Sequence, residues 1–344
     1  KSQAAPGVTP IKLSANESPL GASPAAVAAL LEVDRQPEIY PEGTSRILRE
    51  ALGEVHGIDA NKIVCGNGSD DILHLLAQCY LGEGDEAIIS RHGFSVYPIV
   101  TLAASATPVI APETDYCADV DALLAAVTPQ TKMLFLANPN NPTGTYLSSG
   151  EVARLHAGLR PDILFVLDCA YAEYVTAEDY DVGIELVNGA KNAVMVRTFS
   201  KMGLAAARIG WMYAPEHIVD VVNRIRGPFN VNRAAQFAGA AAARDTAFTA
   251  RLRDYNAQWR SWLTAALNGN AIRVVPSEGN FILALFENAE TSRAAFNALM
   301  DEGLIVREIG VYDISNGLRI SIGPEAAMRR LVEVLKAFGA PGGR

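Results

Sequence analysis

Cysteine and histidine are scarce in this chain, and where they occur they do not cluster. Cys65, Cys79, Cys117 and Cys169 show no C-x-x-C spacing, and His56, His74, His92, His156 and His217 are scattered among themselves and relative to the cysteines. A metal centre and a disulfide framework are therefore not expected; the cysteines read as reduced thiols of a cytoplasmic protein. Excess positive charge is also missing. The net charge of −9 argues against a nucleic-acid groove or an anionic membrane surface as partner. No apolar run is long enough to cross a bilayer, the longest, such as KMLFLAN and ILFVL, being of strand length. Internal repeats and low-complexity tracts are absent. The start, at Lys1 rather than Met, carries no signal-peptide pattern and reads as trimmed.

What is present is a large apolar fraction, 49% of 344 residues, enough for a sizeable core and two domains. Residues 1–23 form an extended arm containing NESPLG, and Pro24 opens a short alanine-rich helix. Helical spacing of Ile47, Leu48, Ala51, Leu52 and Val55 follows the segment IYPEGTSR. From Lys62 the pattern alternates between apolar strands (KIVC, DEAIIS, ATPVI, KMLFLAN, DILFVLD, AVMVRT) and helices, which predicts a mainly parallel sheet covered on both faces. After about Pro228 a long helical region, Arg233 to about Asn268, leads into short strands (IRVV, NFILALF, LIVR, LRISIG), and PEAAMRRLVEVLKAF closes the chain. The expected division is an arm with part of a small domain in 1–33, a large domain in 34–228 and a small α+β domain in 229–344.

Open α/β sheets bind ligands beyond the carboxyl ends of their strands, and here those ends are unusually polar. KIVC is followed by Gly66-Asn67-Gly68-Ser69-Asp70, opening a helix whose free N–H groups suit a phosphate. KMLFLA is followed by NPNNPTG with Asn141, DILFVL by Asp168 and Tyr171, and AVMVR by Thr198, Ser200 and Lys201. Lys201 sits in a tight loop before a second apolar strand, crowded by Met202, Leu204 and alanines, which makes it a candidate for Schiff-base chemistry. Singly, each feature has an ordinary explanation: a capped turn, a proline-rich turn, a core aromatic for Phe94 or Tyr97, a solvated lysine.

Together they fit pyridoxal phosphate, which needs a lysine for its aldehyde, a carboxylate for its pyridine nitrogen, donors for its ring hydroxyl, an aromatic face and an anion cradle. Lys201 would supply the Schiff base and then shuttle the proton as general base and acid. Asp168 would keep the pyridine nitrogen protonated, Asn141 and Tyr171 would reach the ring hydroxyl, and Phe94 would stack on the ring. Gly68, Ser69, Asp70, Thr198, Ser200 and Arg208 would surround the phosphate.

The order NESPLG, YPEG, GNGSD, HGFSVYP, NPNNPTG, D-x-x-Y, TFSK, Arg208 with IGW, and LRISIG resembles the fold-type-I pyridoxal-phosphate aminotransferases, most closely the histidinol-phosphate branch, over nearly the whole chain. The resemblance implies an α/β, aspartate-aminotransferase-like fold: a large domain with a mainly parallel seven-stranded sheet plus a small α+β domain. It implies a cytoplasmic homodimer with shared sites, in which Tyr40 reaches the cofactor phosphate of the partner subunit. Asn16, Leu20, Arg307 and Arg319 would contact substrate, the arginines at its anionic end. The implied reaction passes an amino group between histidinol phosphate and 2-oxoglutarate. An aromatic amino-acid aminotransferase and a lyase of the threonine-phosphate decarboxylase type are the alternatives, and a nicotinamide enzyme is disfavoured by the missing third glycine after KIVC. Two departures stand out: KMGLAAAR is one residue shorter than the family's usual spacing, and REIGVYDISNG replaces its Pro- and Gly-rich loop.

Overall fold

The computed structural model of the chain describes residues 9–33 and 38–339. Its centre is a seven-stranded sheet built from β1 (Ile63–Gly66), β2 (Glu86–Ser90), β3 (Thr107–Ala111), β4 (Thr131–Ala137), β5 (Leu164–Asp168), β6 (Ala193–Thr198) and β7 (Gly210–Tyr213). The spatial order is β1-β7-β6-β5-β4-β2-β3. Only β7 runs antiparallel to its neighbours, β1 and β6; the pairings among β3, β2, β4, β5 and β6 are parallel.

Both faces of this sheet are buried, which is why its strands read as unbroken apolar runs rather than alternations. Val64, Ile89, Phe135, Val166, Val194 and Met212 pack under the helices Ser69–Tyr80 and Glu216–Ile225. Ile63, Ile88, Leu134, Phe165, Met195 and Trp211 point the other way, into a core shared with Leu48 and Leu155. The period of two along each strand sorts the two sets.

A four-stranded antiparallel sheet follows: β8 (Arg273–Val275), β9 (Phe281–Leu285), β10 (Arg307–Glu308) and β11 (Gly317–Ser321), in the order β8-β9-β11-β10. Its core, with Ile282, Leu318 and Ile320, is closed by Leu263, Leu299 and Leu331 from three helices. The arm joins this unit, for Ile11 and Lys12 pair in parallel with Leu304 and Ile305.

The helical region expected from Arg233 to Asn268 is two helices, Arg233–Arg244 and Thr246–Asn268. Asp245 breaks it, because its carboxylate accepts from Phe248 N–H at 3.1 Å and starts a new helix. The first of the pair lies beyond residue 228, where the large domain was expected to end. Its Ala235, Ala238 and Ala242 nevertheless pack in the same core as Leu48 and Trp211. Among the described residues no helix is long and apolar enough to cross a membrane.

Candidate active site

The carboxyl ends of β1, β4, β5 and β6 converge because the registers level them. Ala137 pairs with Asp168, Asp168 with Val196, and Gly210 with both Thr198 and Gly66. Above them lies a cavity of about 200 Å³ lined by Ser69, Asp70, Phe94, Asn141, Asp168, Tyr171, Thr198, Ser200, Lys201 and Arg208, together with Ala15, Glu17, Ala137, Pro139, Ala170 and Ala205. Ten residues singled out from five separate stretches of sequence thus line one cavity.

Asp168, only 4% exposed, closes the floor. Its Oδ2 accepts the Tyr97 hydroxyl at 2.9 Å, while Oδ1 has no partner. Burial pushes its pKa up from 3.8 to about 6, against the Tyr97 hydrogen bond, which lowers it. A buried carboxylate oxygen without a donor is costly, and the residue that carries it lines the cavity. Tyr97 in turn stacks on Phe135 and meets Phe94 edge-on, with centroids 5.8 Å apart.

At one end of the cavity the helix Ser69–Tyr80 begins without a side-chain cap, leaving its first N–H groups free for an anion. Gly68 precedes it at φ 88°, and a Cβ there would stand 2.4 Å from Arg208 Nη2. Arg208 donates to Ser200 Oγ and to the Ala205 carbonyl, both at 3.3 Å. The Asp70 carboxylate lies 3.6 Å from Arg208 Nη2. Thr198 Oγ1 is tied to the Ile209 carbonyl at 3.1 Å and to Ser200 Oγ at 3.0 Å, which directs Ser200 toward the same end.

Lys201 stands in a short 3-10 turn, Ser200–Met202, its Nζ 5.7 Å from the centroid of the Tyr171 ring. The Tyr171 hydroxyl accepts from Asn16 Nδ2 at 2.9 Å, and Asn16 is held by Ser321 of β11 and by Asn280. The abbreviated link to Arg208 is a second 3-10 turn, Ala205–Ala207, reached through Gly203 at φ 87°. A Cβ on Gly203 would strike the Gly21 carbonyl at 2.1 Å, so the arm seals this loop.

Arg319 reaches the site from the small sheet. Buried to 8% exposure, it donates through Nη1 to Asn141 Oδ1 at 2.5 Å and through Nη2 to the Ser14 carbonyl at 2.6 Å, while Nε has no partner. Burial lowers its pKa from the ordinary guanidinium value. Arg307 is its register partner on β10, exposed and lining a neighbouring cleft with Ser14. Leu20 packs against Tyr171, Tyr174 and Phe281 instead of lining the cavity. Tyr40, 77% exposed, stacks on Phe229 at 4.6 Å and does not line this chain's own cavity either. The chain patterns gave no role to Glu17, Ser321 or Tyr174; only their neighbours Asn16, Arg319 and Tyr171 drew notice.

Residues 8–335 match the family Aminotransferase class I and II. This chain belongs to that family. A histidinol-phosphate aminotransferase from Nitrobacter winogradskyi is 53% identical over 332 residues, covering 96% of this chain and 91% of that protein. One from Rhodospirillum rubrum is 51% identical over 336 residues, 97% and 91% of the two chains. Among solved structures, histidinol-phosphate aminotransferase from Sinorhizobium meliloti in complex with pyridoxal-5'-phosphate superposes with a TM-score of 0.90 at 27% identity, covering 95% of this chain and 90% of that one. The seven-stranded sheet of this aminotransferase is therefore the frame that it shares with that solved structure.

Proposed function

We propose that this aminotransferase transfers an amino group between L-histidinol phosphate and 2-oxoglutarate, in the cytoplasm, using pyridoxal phosphate bound in the strand-end cavity. Likeness to enzymes of that name along nearly the whole chain supports the substrate, and the orphaned Asp168 Oδ1 above all supports the cofactor. The donor set fits the group. Asp168 offers an unpaired carboxylate oxygen to a pyridine N–H, Phe94 offers a ring, and Asn141 and Tyr171, which line the same cavity, would hold the ring hydroxyl. The uncapped helix at Ser69, with Ser200 and Arg208, offers donors to a phosphate.

When bound, pyridoxal phosphate supplies an aldehyde that condenses with amines and a ring that withdraws electrons from the substrate's α-carbon. The chain's residues do the rest. Lys201 would hold the cofactor between turnovers, and its freed amine would then take the proton from the substrate's α-carbon as general base and give it up to the cofactor's aldehyde carbon as general acid. Arg319 and Arg307 face the substrate's anionic end from adjacent strands. Antiparallel register partners share a face of the sheet, so two like charges stand together there, a repulsion that a phosphate or carboxylate relieves.

Tyr40 is assigned to the partner's site in a homodimer, a reading supported by its exposure and by its absence from the lining of this chain's own cavity. The test is steady-state kinetics on the purified protein with histidinol phosphate, phenylalanine and tyrosine, alongside a visible spectrum before and after borohydride. A visible band lost on reduction and a preference for histidinol phosphate are expected. Higher kcat/KM for phenylalanine would instead mark an aromatic aminotransferase.

A further inference from the structure

The strand that delivers Lys201, β6, carries a single charge, on Arg197, and buries it. Arg197 Nη2 donates to Glu173 Oε1 at 2.6 Å, with side chains 6% and 11% exposed. Trp211 covers the guanidinium at 5.4 Å, and His56 stacks on Trp211 in turn. Burial works to lower the Arg197 pKa, but the Glu173 carboxylate beside it outweighs that and the net direction is up, so the guanidinium keeps its charge. A buried ion pair is seldom a net gain over two apolar side chains of the same size. Stability alone does not account for this one.

Its place in the chain suggests what does. Arg197 lies just before the end of β6 and Lys201 just after it, while Glu173 follows Tyr171 on a short turn. The next residue, Tyr174, is fully buried and donates its hydroxyl to the Lys201 carbonyl. Within the turn, Tyr174 N–H bonds the Tyr171 carbonyl at 3.0 Å. The β6 ladder stops at Thr198. Beyond it, the turn that carries Tyr171 is fastened to the Lys201 segment at two points: Glu173 to Arg197 behind the sheet, and Tyr174 to the Lys201 main chain.

We propose that Glu173, Arg197 and Tyr174 are positioning residues of transamination, a two-point brace that sets the Lys201 amine over the Tyr171 ring and fixes its approach to the substrate's α-carbon. None of the three lines the cavity, so they act through Lys201 and Tyr171. The inference rests on the transaminase reading of Lys201. A misplacement of about 1 Å in such a group lowers rate about a hundredfold without touching substrate contacts.

Two variants of the holoenzyme test it. Tyr174→Phe deletes one oxygen, and the double variant Glu173→Leu with Arg197→Met removes the pair without stranding a buried charge. The visible cofactor band gives the loaded fraction, and kcat is expressed per loaded site. Both variants are expected to lose about tenfold or more in kcat while KM stays within about twofold of wild type. A kcat per loaded site within about twofold of wild type, with only a lower melting temperature, would overturn the brace. Should the double variant not fold, Tyr174→Phe decides alone. The wild-type enzyme is measured alongside; if it ignores histidinol phosphate, the substrate reading fails, and the brace is judged by the same criterion on the glutamate half-reaction, followed through the visible band.

Discussion

Asp168→Asn should make the cofactor-free protein more stable and the enzyme far slower. The buried carboxylate binds its proton more tightly in the folded chain than unfolded, its pKa rising from 3.8 to about 6. Each tenfold change in proton affinity is worth about 1.4 kcal/mol, so the ionised form burdens the cofactor-free fold by roughly 3 kcal/mol. The sign follows from linkage. With the folded pKa raised, the favourable contribution is fully present below the unfolded value of 3.8 and is lost as pH rises through about 6. Asparagine removes this titration and keeps an oxygen for the Tyr97 hydroxyl. At about pH 8 the variant apoprotein should therefore exceed wild type by up to about 3 kcal/mol, less whatever its own unpaired amide costs, and the gap should close toward about pH 4. Urea denaturation of both apoproteins across this range measures it. In the holoenzyme the order should reverse, because the carboxylate that was a burden would become the partner of the pyridine nitrogen; kcat should fall by about a hundredfold or more. A gap that does not change with pH, or a variant apoprotein less stable than wild type at about pH 8, would refute the reasoning.

Other changes probe the remaining walls of the site. Gly68→Ala places a Cβ 2.4 Å from Arg208 Nη2 at a φ of 88°, so it should lower both stability and cofactor affinity, the strain alone being worth about 1–3 kcal/mol; equilibrium dialysis with pyridoxal phosphate and a melting curve report the two effects. Lys201→Ala should abolish turnover with the fold intact, and activity above a trace with normal cofactor colour would exclude its assigned role. Arg319→Ala is expected to cripple both glutamate and histidinol phosphate, and Arg307→Ala to raise KM chiefly for histidinol phosphate, each by about tenfold or more for a lost charge-assisted bond. Mixing inactive Tyr40→Ala and Lys201→Ala subunits should restore activity, since one site of each heterodimer is then wild type at both positions; no recovery despite demonstrated exchange would rule out the shared site.

Most of the architecture was legible because it depends on local patterns. Strands buried on both faces must be apolar throughout, and helices between them must repeat at the helical period, so the order of elements around the large sheet can be read directly. The break at Asp245 was not, since an aspartate inside an alanine-rich run signals a cap only once Phe248 N–H is seen to need it. The same limit applies to the helix Arg233–Arg244. Its sequence says only that it has a small-residue face; the partners of that face, Leu48 and Trp211, come from elsewhere in the chain.

The site divides along the same line. Residues at strand ends were found because the fold rule says where to look, and a lysine, an aspartate and an asparagine there are conspicuous. Residues that work by contact with one another were not found, because nothing in the sequence joins them. Tyr97 was weighed as a core aromatic, and it is one, stacked on Phe135, yet its hydroxyl is the partner of Asp168. Neither Arg197, inside the apolar strand AVMVRT, nor Glu173, two residues after Tyr171, was given a role from the sequence. Only their 2.6 Å contact behind the sheet shows that each accounts for the other. A buried charge in a strand is costly enough to need a partner, so Arg197 calls for a carboxylate, but nothing in the sequence says that it sits on the turn after Tyr171.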